Sequence, residues 1–374
     1  MPIIALTVLI HTLTIIACSP TPKQQEYITI GVLLPLTGED SDEGLRALNG
    51  LQLAREEINN AGGILGKMLD IFVLNDRGDE EYVVQQYAVL KEIGVAAIIG
   101  SSYSNVTMKL AQASEKDGIP VISPTASNPE VTRGRDNVFR AIFIDDYQAE
   151  AMAIFAYNSL SARTAVLLSN DNADSYRLAT RVFGESFRNL GGQVIAVEPF
   201  GSADEFAGIL RRHAANPPDI IYCPESFLPA VALINTAHEL GFTDTALLGS
   251  DAWDGVLAYI INGDAMKNVF YSAPFSFDDQ DESVMIFVRD YFRKFSQIPL
   301  SGSATAYTCV YILAEAIIKA GTTNPVDVIS AIKANELDVI TGRIRFDENN
   351  NPRTNVYIIH LGSGEYSTYE KLSF

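Results

Sequence analysis

The 374 residues are too many for one compact core and suit two domains. With 47% apolar and 20% charged residues, the chain is a folded globular protein and not a disordered one. Its formal net charge of −19 repels nucleic acid and anionic membrane surfaces, so DNA and RNA are excluded as expected partners.

Residues 2–17, PIIALTVLIHTLTIIA, form an apolar run shorter than the roughly 20 residues that span a bilayer, and read as the core of a secretory signal. The run ends in Ile15-Ile16-Ala17-Cys18. An aliphatic residue at −3 and a small one at −1 before a cysteine resemble a bacterial lipobox. By that resemblance residues 1–17 are a signal peptide, Cys18 is the lipidated first residue of the mature chain, and the membrane is met through the lipid anchor only. A plain membrane anchor and an ordinary signal peptide are the alternatives, and the absence of Lys or Arg before the run departs from the lipobox pattern. Residues 18–26 read as a flexible tether. Cys223 and Cys309 lie far apart in apolar contexts, which predicts buried thiols and neither a disulfide nor a metal site.

A strand is predicted over Ile28–Leu34, a helix over Gly44–Asn60, a strand over Ile71–Leu74 and a helix over Glu80–Ile93. Then come a strand over Ala96–Ile99, a helix over Thr107–Lys116 and a strand over Pro120–Ser123. The alternation restarts with Ala165–Ser169, Tyr176–Leu190, Gln193–Phe200, Glu205–Ala214, Asp219–Cys223, Leu228–Leu240 and Ala246–Gly249. Val269–Ala273, Glu282–Phe295 and Ala304–Ala320 add a strand and two helices, and Gly342–Phe346 and Val356–Leu361 are β-like. Strands alternating with helices predict right-handed βαβ units, hence an α/β chain of two doubly wound parallel-sheet lobes.

Ligands of open parallel sheets bind at the carboxyl ends of the strands. The first lobe offers Ser101-Ser102-Tyr103-Ser104-Asn105 and, one strand later, Pro124-Thr125-Ala126-Ser127-Asn128. Hydroxyls beside free helix-terminal amides suit a carboxylate. Ordinary N-capping explains either loop alone; two on adjacent strands favour a ligand. In the second lobe Asp251 ends a strand, where a carboxylate facing a cleft could pair with an ammonium group or cap the segment starting at Ala252. Trp253 either walls that cleft or packs inside the lobe. A carboxylate-binding lobe opposite an ammonium-binding lobe implies a zwitterion, and so an amino acid.

IGVLLPLTG (30–38), NGLQLAREEINNAGGILGKMLDI (49–71), IIGSSYSN (98–105), GIPVISPTASNPEVT (118–132), AVLLSND (165–171), LGSDAWD (248–254) and TGRIRFDENNNPR (341–353) together resemble the Leu/Ile/Val-binding group of type I periplasmic binding proteins. These are the substrate-binding lipoproteins of branched-chain amino-acid ABC transporters. The resemblance implies that Ser104 and Ser127 bind the ligand carboxylate with nearby backbone amides, and that the Thr125 carbonyl and Asp251 receive the α-ammonium. It also implies three hinge crossovers between lobes, near Ile144–Asp146, Ser272–Phe275 and Arg345–Asp347. One lobe is then 27–145 plus 275–345, and the other 146–274 plus 346–374. Tyr103, Ala126, Asp174, Ser226, Phe227 and Trp253 complete the expected ligand-binding set. Three positions depart from the family pattern. Asp251 stands for the usual glutamate, the loop Glu39-Asp40-Ser41-Asp42-Glu43-Gly44 stands where an aromatic-Gly pair is common, and Ala173 or Asp174 stands for a tyrosine. An acidic stretch at the cleft mouth could favour a cationic ligand or be a solvated loop.

GxSxG, HExxH, Walker and GxGxxG patterns are absent, and no enzyme activity or cofactor is expected. DENNNPR (347–353) resembles a calcium loop faintly, with Pro352 where the turn glycine belongs, so a β-turn and no metal site is expected. The function expected is extracytoplasmic capture of an amino acid by a monomeric, lipid-anchored protein, for delivery to an ABC permease. A ligand sensor for a membrane kinase or receptor, and a cell-wall-regulating lipoprotein acting through protein contacts, are the rivals.

Overall fold

Strand pairing in the computed structural model sorts the chain into two large sheets and one small one; residues 26–38, 41–170, 174–260 and 262–372 are described. Signal peptide, Cys18 and nearly all of the tether lie outside these ranges. The first sheet is built from β1 (Tyr27–Leu34), α1 (Ser41–Asn60), β2 (Met68–Asn75), α2 (Glu80–Ile93), β3 (Ala97–Gly100), α3 (Ser104–Ser114), β4 (Val121–Ser123) and β5 (Val138–Arg140). Its strands are all parallel, in the order β2-β1-β3-β4-β5. Both faces are covered, as a parallel sheet requires. Ile30, Val32 and Leu34 enter one core with α1, while Leu33 enters another with α2 and α3.

The second sheet follows from α4 (Asp145–Asn158), β6 (Thr164–Asn170), α5 (Asp174–Asn189), β7 (Gln193–Phe200), α6 (Phe206–His213), β8 (Ile220–Tyr222), α7 (Phe227–Glu239), β9 (Ala246–Gly249) and β10 (Val269–Ala273). The chain then returns to the first lobe through α8 (Glu282–Phe295), α9 (Ser301–Ala320), α10 (Pro325–Lys333), β11 (Glu336–Val339), β12 (Gly342–Phe346) and β13 (Pro352–Arg353). It ends on β14 (Val356–His360) and β15 (Ser367–Leu372). The second sheet runs β15-β14-β10-β9-β8-β6-β7, with only β14 reversed, antiparallel to both β10 and β15; β11, β12 and β13 form a small antiparallel sheet. The fold class is therefore the α/β, two-lobed architecture expected from sequence.

Local chemistry fixes the ends of these elements. Asp79 caps α2 by accepting from the amides of Glu81 (3.0 Å) and Tyr82 (2.7 Å), and Gly94 ends it with a left-handed φ of 77°. Helix α9 is long and apolar enough to cross a membrane, yet it is mostly buried. It lies against α1 at Gly50, where a Cβ would sit 2.1 Å from the Ser303 carbonyl oxygen; only glycine lets the helices approach so closely.

Sheet membership corrects the expected crossovers in part. The chain passes to the second lobe between Arg140 and Asp145, and back after Ala273. The third passage lies at Thr354–Asn355 and not at Arg345–Asp347. Phe346 is buried in the first lobe, edge-on to Phe139 at 5.3 Å, and β13 pairs with β12. The intervening DENNNPR turn is closed by Asp347, whose carboxylate accepts from the amides of Asn349 (2.8 Å) and Asn351 (2.9 Å). Among the described residues no cluster suited to a metal ion occurs. Cys223 and Cys309 are buried free thiols.

Candidate functional site

The first sheet reverses its strand order between β1 and β3, the second between β6 and β8. These are the switch points at which ligands bind. Beyond β3, the Ser101 hydroxyl donates to Asp76 (2.5 Å), a fully buried carboxyl whose pKa burial pushes up. The Ser101 carbonyl accepts from Ser123 (2.6 Å) and Thr107 (2.9 Å), and the Ser102 carbonyl from Thr125 (2.9 Å). The loop is thereby held rigid from behind. The Ser102 hydroxyl is buried with no hydrogen-bond partner. Helix α3 begins at Ser104 with Tyr103 as its N-cap, so its first amides have no partner within the helix. Ser104 Oγ accepts from the Asn128 amide at 3.3 Å.

The neighbouring loop is shaped by Arg140, a fully buried cation at the end of β5. Its guanidinium donates to the carbonyls of Ala126 (2.7 Å) and Asn128 (2.8 Å) and to Thr132 Oγ1 (3.2 Å). Burial pushes its pKa down to about 10. The Ala126 amide is spent on Ser123 Oγ (3.0 Å), so both peptide groups of Ala126 are used inside the lobe. Ser127 faces the first crossover: its carbonyl accepts from the Asp145 amide (3.1 Å).

Across the cleft, Gln148 on α4 gathers the acids. Its Nε2 donates to Asp251 (2.7 Å) and to Asp145 (3.0 Å), while its Oε1 accepts from the Asp251 amide (3.0 Å) and the Ser272 hydroxyl (2.8 Å). Asp251 Oδ2 has no hydrogen-bond partner among the described residues and remains open to a donor. Burial, then the Asp145, Glu43 and Asp254 carboxylates, push the Asp251 pKa up to about 7.

Glu43, in the first turn of α1, reaches this group from the first lobe. A Cβ added to Gly302 would lie 3.7 Å from its Oε1 and 4.0 Å from the Thr125 methyl. Helix α1 starts at Ser41, so Glu43 belongs to a helix and not to the loop expected there. Asp254 joins the lobes, accepting from the Ser301 amide at the start of α9 (2.8 Å) and from the Tyr271 hydroxyl (3.1 Å). Burial and the carboxylates of Glu225, Asp145, Asp251 and Glu43 raise the pKa of Tyr176 on α5. Glu225 is itself buried, accepting from Asn170 and from the Ser226 amide (2.8 Å).

Ser127 and Asp251 are linked through the first crossover, from the Ser127 carbonyl to the Asp145 amide and from the Asp145 carboxyl through Gln148 to Asp251, while Ser104 bonds to the amide of Asn128, the residue after Ser127. Tyr103 and Thr125 stand beside the first of these. Ser226 and Phe227 open α7, with the Phe227 ring 5.2 Å from Tyr259. Two expected residues are placed elsewhere. Trp253 is fully buried in the second-lobe core, packed so closely under Gly249 that a Cβ there would lie 2.1 Å from the indole. Ala126 is 1% exposed and presents no free amide. Asp174 opens α5, but its side chain is outside the described residues, as are 171–173. Sequence reasoning did not single out Gln148, Tyr176 or Glu225. Tyr176 stands two or three positions beyond the place where the family tyrosine was sought, and that spacing was the available signal.

Comparison with known proteins agrees with this architecture. Residues 27–365 match the family model described as Periplasmic binding protein. The leucine-, isoleucine-, valine-, threonine- and alanine-binding protein of Pseudomonas aeruginosa is 26% identical over 327 residues, covering 86% of each chain. The leucine-binding protein LivK of Thermotoga maritima superposes with a TM-score of 0.82 at 29% identity, covering 92% of this chain and 99% of that one. LivJ of Streptococcus pneumoniae, in complex with isoleucine, gives 0.83 at 25% identity, covering 93% and 99%. A Rhodopseudomonas palustris solute-binding protein in complex with benzoate shares the fold at 21% identity, with a TM-score of 0.79 and coverage of 93% and 98%. The chain belongs to the periplasmic binding protein family, whose members are extracytoplasmic binding proteins and not enzymes, and the relatives it resembles include proteins named for binding branched-chain amino acids.

Proposed function

We propose that this chain is a lipid-anchored solute-binding protein that closes its two lobes on an amino acid and presents it to an ABC permease. The observation that carries the reading is the open oxygen of Asp251, held by Gln148 at a strand end opposite the hydroxyls and free amides around Ser102–Asn105. The ammonium of an amino acid meets Asp251. Its carboxylate meets the α3 amides with Ser104 and Ser127, and the Thr125 carbonyl supplies a second acceptor for the ammonium. Tyr176, Ser226 and Phe227 are then positioned to contact the ligand side chain. Closure follows because only the closed form lets both lobes touch the ligand at once. The segments between Arg140 and Asp145, after Ala273 and at Thr354–Asn355 serve as hinges.

The test is calorimetry against the common amino acids, with Asp251→Ala alongside. A bound amino acid should lose at least about thirtyfold in affinity in the variant, since its buried ammonium is left unpaired. Unchanged affinity would overturn the reading.

A further inference from the structure

We propose that Gly302 is a specificity-determining residue of this cleft: the room left by its missing side chain is taken by the side chain of the ligand, and Gly302 thereby sets the largest amino acid that the closed lobes accept. This rests on the amino-acid reading above and deepens it.

The first reason is that neither backbone nor packing requires a glycine there. Gly302 is the second residue of α9, and its φ is not left-handed. Glycine forms helices more poorly than any residue but proline, so its presence costs the helix something. Two nearby glycines are forced by their surroundings. A Cβ at Gly44 would lie 2.1 Å from the Pro35 carbonyl oxygen, and one at Gly50 would lie 2.1 Å from that of Ser303. At Gly302 an added Cβ would meet Glu43 Oε1 at 3.7 Å and the Thr125 methyl at 4.0 Å, which are ordinary contact distances. Among the described residues nothing beyond its chain neighbours and its own helix backbone lies closer. Gly302 is also partly exposed, between the buried Ser301 and Ser303.

The second reason is where this gap opens. Thr125 follows β4, and its hydroxyl is committed to the Ser102 carbonyl (2.9 Å), which leaves its methyl beside Gly302. On the other side, the start of α9 meets the second lobe. The Ser301 amide donates to Asp254 (2.8 Å), three residues beyond Asp251, and a Cβ on Gly255 would lie 3.6 Å from Leu300 Cδ1. The gap therefore sits where the lobes meet, next to the Thr125 carbonyl that receives the ligand ammonium in the reading above. A side chain leaving the α-carbon has room there. Glu43 has an interaction partner within the protein, so the gap offers space bounded by a methyl and not a charge in want of a counterion. Carbon that displaces water from such a space adds to affinity.

The experiment compares the full chain with Gly302→Ala and Gly302→Leu, by thermal melting without ligand and by calorimetric titration with alanine, leucine and phenylalanine. In the unaltered protein leucine or phenylalanine should bind more tightly than alanine. Gly302→Leu should lower that preference by at least about tenfold, and Gly302→Ala by about threefold. Gly302→Ala should melt no earlier than the unaltered protein, because alanine is the better helix former. An earlier melt would show that packing requires the glycine, and would overturn the proposal. So would a preference that both variants leave unchanged, whether their affinities stay the same or fall alike for all three ligands. Tighter binding of alanine than of both larger amino acids to the unaltered protein would overturn it too, since the gap would then go unused. Each of these outcomes leaves the amino-acid reading standing. If none of the three binds, the proposal fails, and titration with the remaining common amino acids decides whether that reading fails with it.

Discussion

Gln148 is the residue on which the second lobe's side of the site turns. One amide nitrogen donates to both Asp145 and Asp251, and the amide oxygen takes the Asp251 backbone and Ser272, so the side chain is fully committed. It orients Asp251 but does not neutralise it. Because the folded chain raises the Asp251 pKa from an ordinary 3.8 to about 7, the folded state holds a proton that the unfolded state has lost between those values. Folding stability contributed by this group is present at low pH and is lost as pH rises toward 7. Binding runs the other way. An ammonium ligand pairs with the ionised carboxylate, so affinity should rise by about tenfold per pH unit up to pH ~7 and level off above it. Calorimetry from pH ~5 to ~8 measures this slope, with Asp251→Asn as the variant that removes it. A flat profile in the unaltered protein would show that Asp251 is not the partner.

At the scale of elements, the 3₁₀ turn following β9 is held by what lies beneath it. Trp253 wedges under Gly249 and anchors the segment that carries Asp251 and Asp254. Gly249→Ala would place a methyl inside the indole's volume, and overpacking of this kind costs about 1–3 kcal/mol. The variant should melt earlier and bind ligand more weakly, since the indole can yield only by moving the segment two residues from Asp251. A thermal melt with a parallel titration checks this; an unchanged melting temperature would show that the wedge is not tight. Elements also mark the limits of sequence reading. Helix α4 was not foreseen because Ala149, Ala151, Met152, Ala153, Phe155 and Ala156 are all buried, so it has no polar stripe to give it a 3.6-residue period. With α4 unseen, Gln148 was unseen. Strand β5 is three residues long, and β15, STYEKL, mixes polar residues as an edge strand does; neither gives a clear apolar run.

At the scale of the whole molecule, the proposed function depends on two lobes moving about three thin connections. The Asp254–Ser301 bond is a polar link drawn directly across the junction, and Asp254 is close enough to Asp251 to help raise its pKa. The other whole-molecule property is location. If Cys18 carries a lipid, the protein should sediment with membranes and Cys18→Ser should release it to the soluble fraction; identical distribution of the two would refute the anchor.

Order along the chain was legible from the sequence alone. Alternating β-branched runs and amphipathic helices dictate a doubly wound topology, because only that arrangement buries both faces of a parallel sheet. The topology in turn sends Ser104, Ser127 and Asp251 to strand ends. Tertiary structure alone decided which side chains at those ends stay open. Trp253 and Ala126 sit at suitable positions, yet packing under Gly249 and the pull of Arg140 consume them. Glu43 and Gln148 come from remote helices to stand beside Asp251, and such juxtaposition is set by packing between segments, which no local periodicity encodes.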